Sequence, residues 1–159
     1  MDEKQTGIRV EVHGSEPLVL TRLLLDFTGT LSCDGVLLPG VSKCLEALWQ
    51  KLRIAVLTAD TFGSAAKQLE GLPVELQRIQ TGQDKVNFLA DLNSSETAAV
   101  GNGRNDVGMV HGAVLGIAVI GPEGCYAELV GAAKVVCHDI LTALDLLLHP
   151  LRLKATLRI

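Results

Sequence analysis

Asp26 ends an apolar run, Leu23-Leu24-Leu25, and is followed at once by Phe27-Thr28-Gly29-Thr30. The apolar run reads as a strand buried on both faces of a parallel sheet. Ligands of open α/β sheets bind just outside the carboxyl ends of such strands, so this carboxylate sits where chemistry is expected. A carboxylate there can act as a nucleophile toward phosphorus and form an aspartyl-phosphate. A lone Asp at a strand end is more often a helix cap or a turn former, so the case rests on what accompanies it.

Three other segments accompany it. Thr58 closes the apolar strand Ile54-Ala55-Val56-Leu57, and Lys85 opens a helix in Thr81-Gly82-Gln83-Asp84-Lys85. Gly101-Asn102-Gly103-Arg104-Asn105-Asp106 follows the strand Thr97-Ala98-Ala99-Val100. Each has an ordinary reading alone: a strand-end threonine, a solvated lysine, a loop-capping carboxylate. In this order they resemble the four motifs of the haloacid dehalogenase (HAD) superfamily of phosphohydrolases. Asp-Phe-Thr-Gly-Thr looks most like the phosphorylation loop of P-type ATPases and their small soluble relatives. The resemblance spans residues 20–148, most of the chain.

The resemblance implies a role for each matched residue. Asp26 would attack phosphorus. Mg²⁺ would be held by Asp26, the backbone carbonyl of Thr28, Asn102 and Asp106. Thr58, the loop amides near Gly29, and Asn105 would hold the phosphate, and Lys85 would offset the negative charge of phosphate and carboxylate. Asp60, two residues past Thr58, reads as the cap of the next helix.

Two positions depart from the hydrolase pattern. Fast phosphatases of this superfamily carry a second Asp two residues after the nucleophile, where this chain has Thr28. Threonine has no pKa suited to protonating a leaving group or activating water. General acid–base catalysis is worth roughly 10²–10⁴-fold, so hydrolysis is expected to be slow. The second departure is Asn102, a neutral oxygen donor where the pattern has Asp. The leading expectation is a slow Mg²⁺-dependent phosphatase or phosphotransferase acting on a small phosphorylated substrate or a phosphoprotein. The alternative is a catalytically weak or inactive module that binds phosphate or another protein. An ATPase piece that needs a partner subunit ranks last, because no nucleotide-binding domain is recognisable.

Positioning these residues takes an alternation of strands and helices. Ile8, Val10 and Val12 alternate with polar residues, and after a Gly14-Ser15-Glu16-Pro17 turn the chain returns as one strand over 18–26, completing an N-terminal β-hairpin. Helices are expected over 42–52, 62–69, 84–92, 105–111, 123–132, 140–148 and 150–159. Strands are expected over 53–58, 74–79, 97–100, 114–120 and 134–137. Asp139 caps the helix at 140, and Pro150 sits at a tolerated first position. The pattern predicts an α/β, Rossmann-like three-layer sandwich with a mostly parallel central sheet. A dinucleotide-binding domain is the runner-up, but Asp106 stands where Gly-x-Gly-x-x-Gly needs its last glycine.

The gaps between motifs hold only a short flap, 31–41, and one helix and one strand between Thr58 and Lys85. No cap domain of the HAD kind fits there. A capless site is open to water or to large substrates, or a second subunit covers it, so a homo-oligomer is expected.

The 159 residues fit one domain with a real core. Residues 1–7 are polar, read as a flexible end, and contain no signal-peptide core. The apolar runs are too short to span a membrane. A net charge of −4 gives no nucleic-acid-binding surface, and Arg152, Lys154 and Arg158 read as a solvated helix face. Cys33, Cys44, Cys125 and Cys137 form no metal or disulfide pattern and read as free thiols of a cytoplasmic protein. His13, His111, His138 and His149 match no motif.

Overall fold

The computed structural model describes residues 5–159; residues 1–4 of the expected flexible end lie outside the described residues. In chain order, β1 (Ile8–Val10) and β2 (Leu18–Leu20) form an antiparallel hairpin, followed by β3 (Arg22–Asp26). A second small hairpin, β4 (Ser32–Cys33) and β5 (Val36–Leu37), leads to α1 (Val41–Trp49) and β6 (Arg53–Thr58). Then come α2 (Ala65–Gln68), β7 (Glu75–Arg78), α3 (Gly82–Ala90) and β8 (Thr97–Gly101). The chain ends with α4 (Val107–Gly112), β9 (Leu115–Val119), α5 (Ala127–Ala132), β10 (Val135–Cys137), α6 (Ile140–Leu148) and α7 (Pro150–Leu157).

Six strands make one parallel sheet in the order β10-β9-β8-β3-β6-β7. From β3 the chain moves outward through β6 and β7, then returns to the other side of β3 with β8. Successive residues of a strand face opposite sides, so each strand feeds two cores. Leu23, Leu25, Ile54, Val56, Ala98 and Val100 join the α1 and α6 residues Leu45, Leu48, Leu144 and Leu147. Leu24, Ala55, Leu57 and Ala99 join Leu89 of α3, Met109 of α4 and Leu129 of α5. This is the three-layer sandwich expected from the alternation, with its N-terminal hairpin. The connection from β3 to β6 holds only the β4–β5 hairpin and α1. No helix among the described residues is long and apolar enough to cross a membrane.

Most elements end within a few residues of the expected bounds, and three depart for reasons seen in the structure. The stretch 18–26 breaks at Thr21, because its two halves pair with different sheets. Thr21 donates its N–H to the Glu96 carbonyl (2.9 Å), and its own carbonyl accepts the Arg53 N–H (3.1 Å). The helix expected over 62–69 is only α2, since Asp60 takes a left-handed φ of 55° and the chain turns through Gly63. The helix expected over 123–132 starts at Ala127, because residues 121–124 form a turn closed by Gly124 N–H to the Gly121 carbonyl (3.0 Å). The caps at Asp139 and Pro150 are as expected: Asp139 Oδ1 accepts the Thr142 N–H at 2.8 Å.

Candidate active site

The chain changes direction across the sheet between β3 and β8, so the crevice at their carboxyl ends is the topological switch point. Asp26 ends β3, level with Leu57 of β6, and the 101–106 loop leaves β8 beside it. Asp26 is 5% exposed, Asp106 and Lys85 not at all. Lys85 Nζ donates to Asp26 Oδ1 and to Asp106 Oδ1, both at 2.6 Å.

Local sequence explains how Lys85 arrives there. Thr81 and Asp84 form a reciprocal capping box that fixes the start of α3 (Thr81 Oγ1 from Asp84 N–H 3.2 Å, Asp84 Oδ2 from Thr81 N–H 2.8 Å). The first turn of α3 then carries Lys85 inward from the second core face. Asp106 folds back beneath the end of β8, where its Oδ2 accepts the N–H groups of Asn102 (3.1 Å) and Gly103 (2.9 Å). Only glycine fits at 101, because a Cβ there would lie 2.4 Å from Asp106 Cγ.

The electrostatics follow from burial. Desolvation raises the Asp26 pKa, the neighbouring Asp106 charge raises it further, and Lys85 and Thr30 pull it back only partly, leaving it at about 7. Burial works against the Lys85 ammonium, but the two carboxylates outweigh it and hold its pKa above the usual lysine value. Two carboxylates face one ammonium, so the ionised site carries one net negative charge. A phosphate dianion would be repelled unless a cation joined it.

Thr30 and Asn102 complete the pocket floor. Thr30 Oγ1 lies 3.0 Å from Asp26 Oδ2 and 3.1 Å from Asn102 Oδ1. The hydroxyl has one proton, so at any moment one of these two oxygens is without it. Convergent oxygens that outnumber their donor suit a hard cation such as Mg²⁺, which takes oxygen ligands and keeps waters. Among the described residues no group of three His, Cys, Asp or Glu could hold a metal unaided. A cation here would therefore rely also on Asn102, on water and on substrate oxygens.

Asn102 does something its expected acidic counterpart could not. Its Nδ2 donates to the Gly124 carbonyl (3.0 Å), beside the backbone bond that any residue here would make, from the Tyr126 N–H to the Asn102 main-chain carbonyl (2.8 Å). The amide thus ties the β8 loop to residues 121–126. Gly29 (φ 78°) passes directly over it, and a Cβ there would lie 2.5 Å from Asn102 Nδ2.

The remaining expected residues fall at the rim. Thr58 is buried at the end of β6, and its Oγ1 accepts the Asp60 N–H (2.9 Å), which leaves its proton free for a ligand. Thr28 is half-buried beyond Asp26. Asn105 is exposed and takes no part in the hydrogen bonds linking Asp26, Lys85, Asn102 and Asp106. Asp60 accepts the Ala65 N–H (2.9 Å), the capping role read from sequence, and also holds Arg78 (3.1 Å). Sequence reading missed Thr30, Gly124 and Arg78. Only Thr30 carried a signal, inside the Asp-Phe-Thr-Gly-Thr stretch itself. A groove of about 700 Å³ lined by His13, Leu151, Lys154, Arg158 and Ile159 lies against α7 and contains none of these residues.

This architecture is shared. The 3-deoxy-D-manno-octulosonate 8-phosphate phosphatase of Moraxella catarrhalis, solved with magnesium, phosphate and the KDO molecule, superimposes with a TM-score of 0.69 at 19% identity, over 82% of this chain and 86% of that one. The protein has the HAD fold. The cobalt-bound phosphatase of the same name from Haemophilus influenzae gives a TM-score of 0.69 at 14% identity, covering 82% of this chain and 88% of its own. A zinc-transporting P-type ATPase, solved in a phosphoenzyme state, is similar over 75% of this chain but only 20% of that much larger one, with a TM-score of 0.62 and 24% identity. No protein-family model matches the chain. The uncharacterized protein MJ0073 of Methanocaldococcus jannaschii is 38% identical over 92 residues, 54% of this chain and 99% of that protein. This HAD-fold chain and the archaeal protein belong to one family.

Proposed function

We propose that this protein is a Mg²⁺-dependent phosphatase or phosphotransferase that works through an aspartyl-phosphate on Asp26. The observation that carries this reading is the buried Lys85 ammonium, held at 2.6 Å from both Asp26 and Asp106 at the switch point. A lysine merely neutralising charge has no need of a carboxylate at a strand end beside an open crevice. The general phosphatase reading is further supported by the HAD-fold phosphatases solved with magnesium or cobalt.

Asp26, Asn102, Asp106 and the Thr28 carbonyl would hold the cation. When bound it would offset the site's negative charge and polarise a phosphoryl oxygen. Thr58 and the amides near Gly29 would receive the other phosphate oxygens. Lys85 keeps Asp26 aligned and counters charge on the transferring group. Asp26 attacks phosphorus, and the phosphorus–oxygen bond to the leaving group breaks. The leaving oxygen takes its proton from water, since Thr28 cannot supply one. Water, or another acceptor, then takes the phosphoryl group and frees Asp26. Both half-reactions lack a general acid–base group, so turnover is slow; with a donor whose leaving group needs no proton, only hydrolysis is held back and the phosphoenzyme accumulates.

A second reading, a phosphate-binding or regulatory module, is favoured by one observation: Asn102 spends its amide on the 121–126 loop and brings no charge to the metal side. A second copy of the chain covering the open crevice fits either reading. Phosphate release from an aryl phosphate, with and without Mg²⁺, separates the two. Slow Mg²⁺-dependent release that Asp26→Asn abolishes supports the enzyme; release indifferent to Asp26 would refute it.

A further inference from the structure

Arg78 is not part of any motif, yet the fold fixes its head at the edge of the crevice. It ends β7 level with Thr58 of β6. Its guanidinium donates to Asp60 Oδ2 at 3.1 Å, while Asp60 Oδ1 accepts the Ala65 N–H and the Asp60 N–H donates to Thr58 Oγ1. The Asp60 side chain is 3% exposed and that of Arg78 72%. A buried carboxylate therefore holds an arginine whose other donors face solvent. Asp60 does this from a left-handed φ of 55°. Such backbone is uncommon in a non-glycine residue, and it gathers at ligand clamps.

We infer that Arg78 binds a carboxylate of the substrate, while the Asp26 end of the crevice takes the phosphoryl group. This rests on the phosphatase reading above and adds the substrate class to it. β7 is two strands from β3, roughly 10 Å at the usual spacing. A small phosphorylated acid spans that distance. The guanidinium fork suits a planar carboxylate or a phosphate better than any neutral group. Of the nearby cations, Lys85 is buried between Asp26 and Asp106, and Arg104 follows β8, on the other side of β3 from Arg78, where it lies over the Tyr126 ring, 5.7 Å from its centroid. Asp84, also at this edge, turns its Oδ2 onto the N–H groups of Gln80 and Thr81 and does not reach for Arg78.

The test is calorimetric binding in Mg²⁺, supported by kcat/KM, for two matched pairs. These are glycerol 3-phosphate against 3-phosphoglycerate, and glucose 6-phosphate against 6-phosphogluconate. The wild type should prefer the acid of at least one pair by roughly tenfold or more, the scale of one charge-assisted hydrogen bond. Arg78→Gln should erase that preference through affinity and KM, leave binding of the member without a carboxylate unchanged, and keep kcat. Arg78→Lys should retain part of it. Equal binding of both members in both pairs, or a preference that survives Arg78→Gln, overturns the assignment and leaves the phosphatase reading intact. No binding and no phosphate release with any of the four would overturn that reading, and this one with it.

Discussion

Replacing Lys85 with methionine keeps most of the buried stem and removes the charge. Asp26 and Asp106 would then face each other across a water-excluded gap, each having lost a partner at 2.6 Å. Removing one member of a buried ion pair costs about 3–5 kcal/mol, because the remaining charge is uncompensated. A domain of this size loses roughly 2–4 °C of Tm per kcal/mol. Lys85→Met should therefore lower Tm by ~6–20 °C relative to wild type at pH 8. The penalty should shrink at pH 5, where the two carboxylates share a proton, and Asp106→Asn added to Lys85→Met should recover part of it. Thermal unfolding followed by circular dichroism at both pH values reads this directly. A loss under about 1 kcal/mol, or one equal at the two pH values, would refute the idea that Lys85 balances both carboxylates.

The Asp26 pKa sets a second expectation. Burial, then Asp106, raises it to about 7, so between about pH 4 and 7 the cation-free native state keeps a proton that the unfolded chain releases. Stability then falls as pH rises through that window. Mg²⁺ competes with the same proton, so its stabilising shift in Tm should be small at pH 5.5 and grow through pH 7; a pH-independent shift would contradict this. Asn102→Asp removes the donor to Gly124 and sets a carboxylate against that carbonyl. Hydrogen exchange of residues 121–126 should speed up, even as added charge tightens Mg²⁺ binding; unchanged exchange would mean the amide is not a tie. Thr28→Asp supplies the missing acid–base group at a half-buried, solvated position and should raise phosphate release by up to roughly 10²–10⁴-fold. No increase, with Mg²⁺ binding intact, would show that proton transfer does not limit the rate.

The parts of this fold that could be read from sequence were those governed by local pattern. Apolar runs ending at Asp26, Thr58 and Val100 marked the strand ends, while Lys85 and Asp106 were placed beside Asp26 by the resemblance to the HAD motifs. What escaped depended on contacts between distant segments. Nothing near Thr21 announces that its neighbours join different sheets; its partners are Glu96 and Arg53. The late start of the helix expected over 62–69 comes from Asp60, whose carboxylate is engaged by Ala65 and Arg78. The Asp34-Gly35 turn of the β4–β5 hairpin was legible in principle, since both residues adopt positive φ (51° and 78°), as a tight hairpin turn requires. The tie from the Asn102 amide to the Gly124 carbonyl could not be read, because the two lie 22 residues apart.

The central claim, that Asp26 is a nucleophile whose phosphoryl adduct persists, is best tested by intact-protein mass. The protein is incubated with Mg²⁺ and acetyl phosphate, quenched in acid, and compared with Asp26→Asn. One phosphoryl group on the wild type alone is the predicted result. No adduct together with no phosphate release would contradict the nucleophile, and rapid release without an adduct would contradict the role given to Thr28.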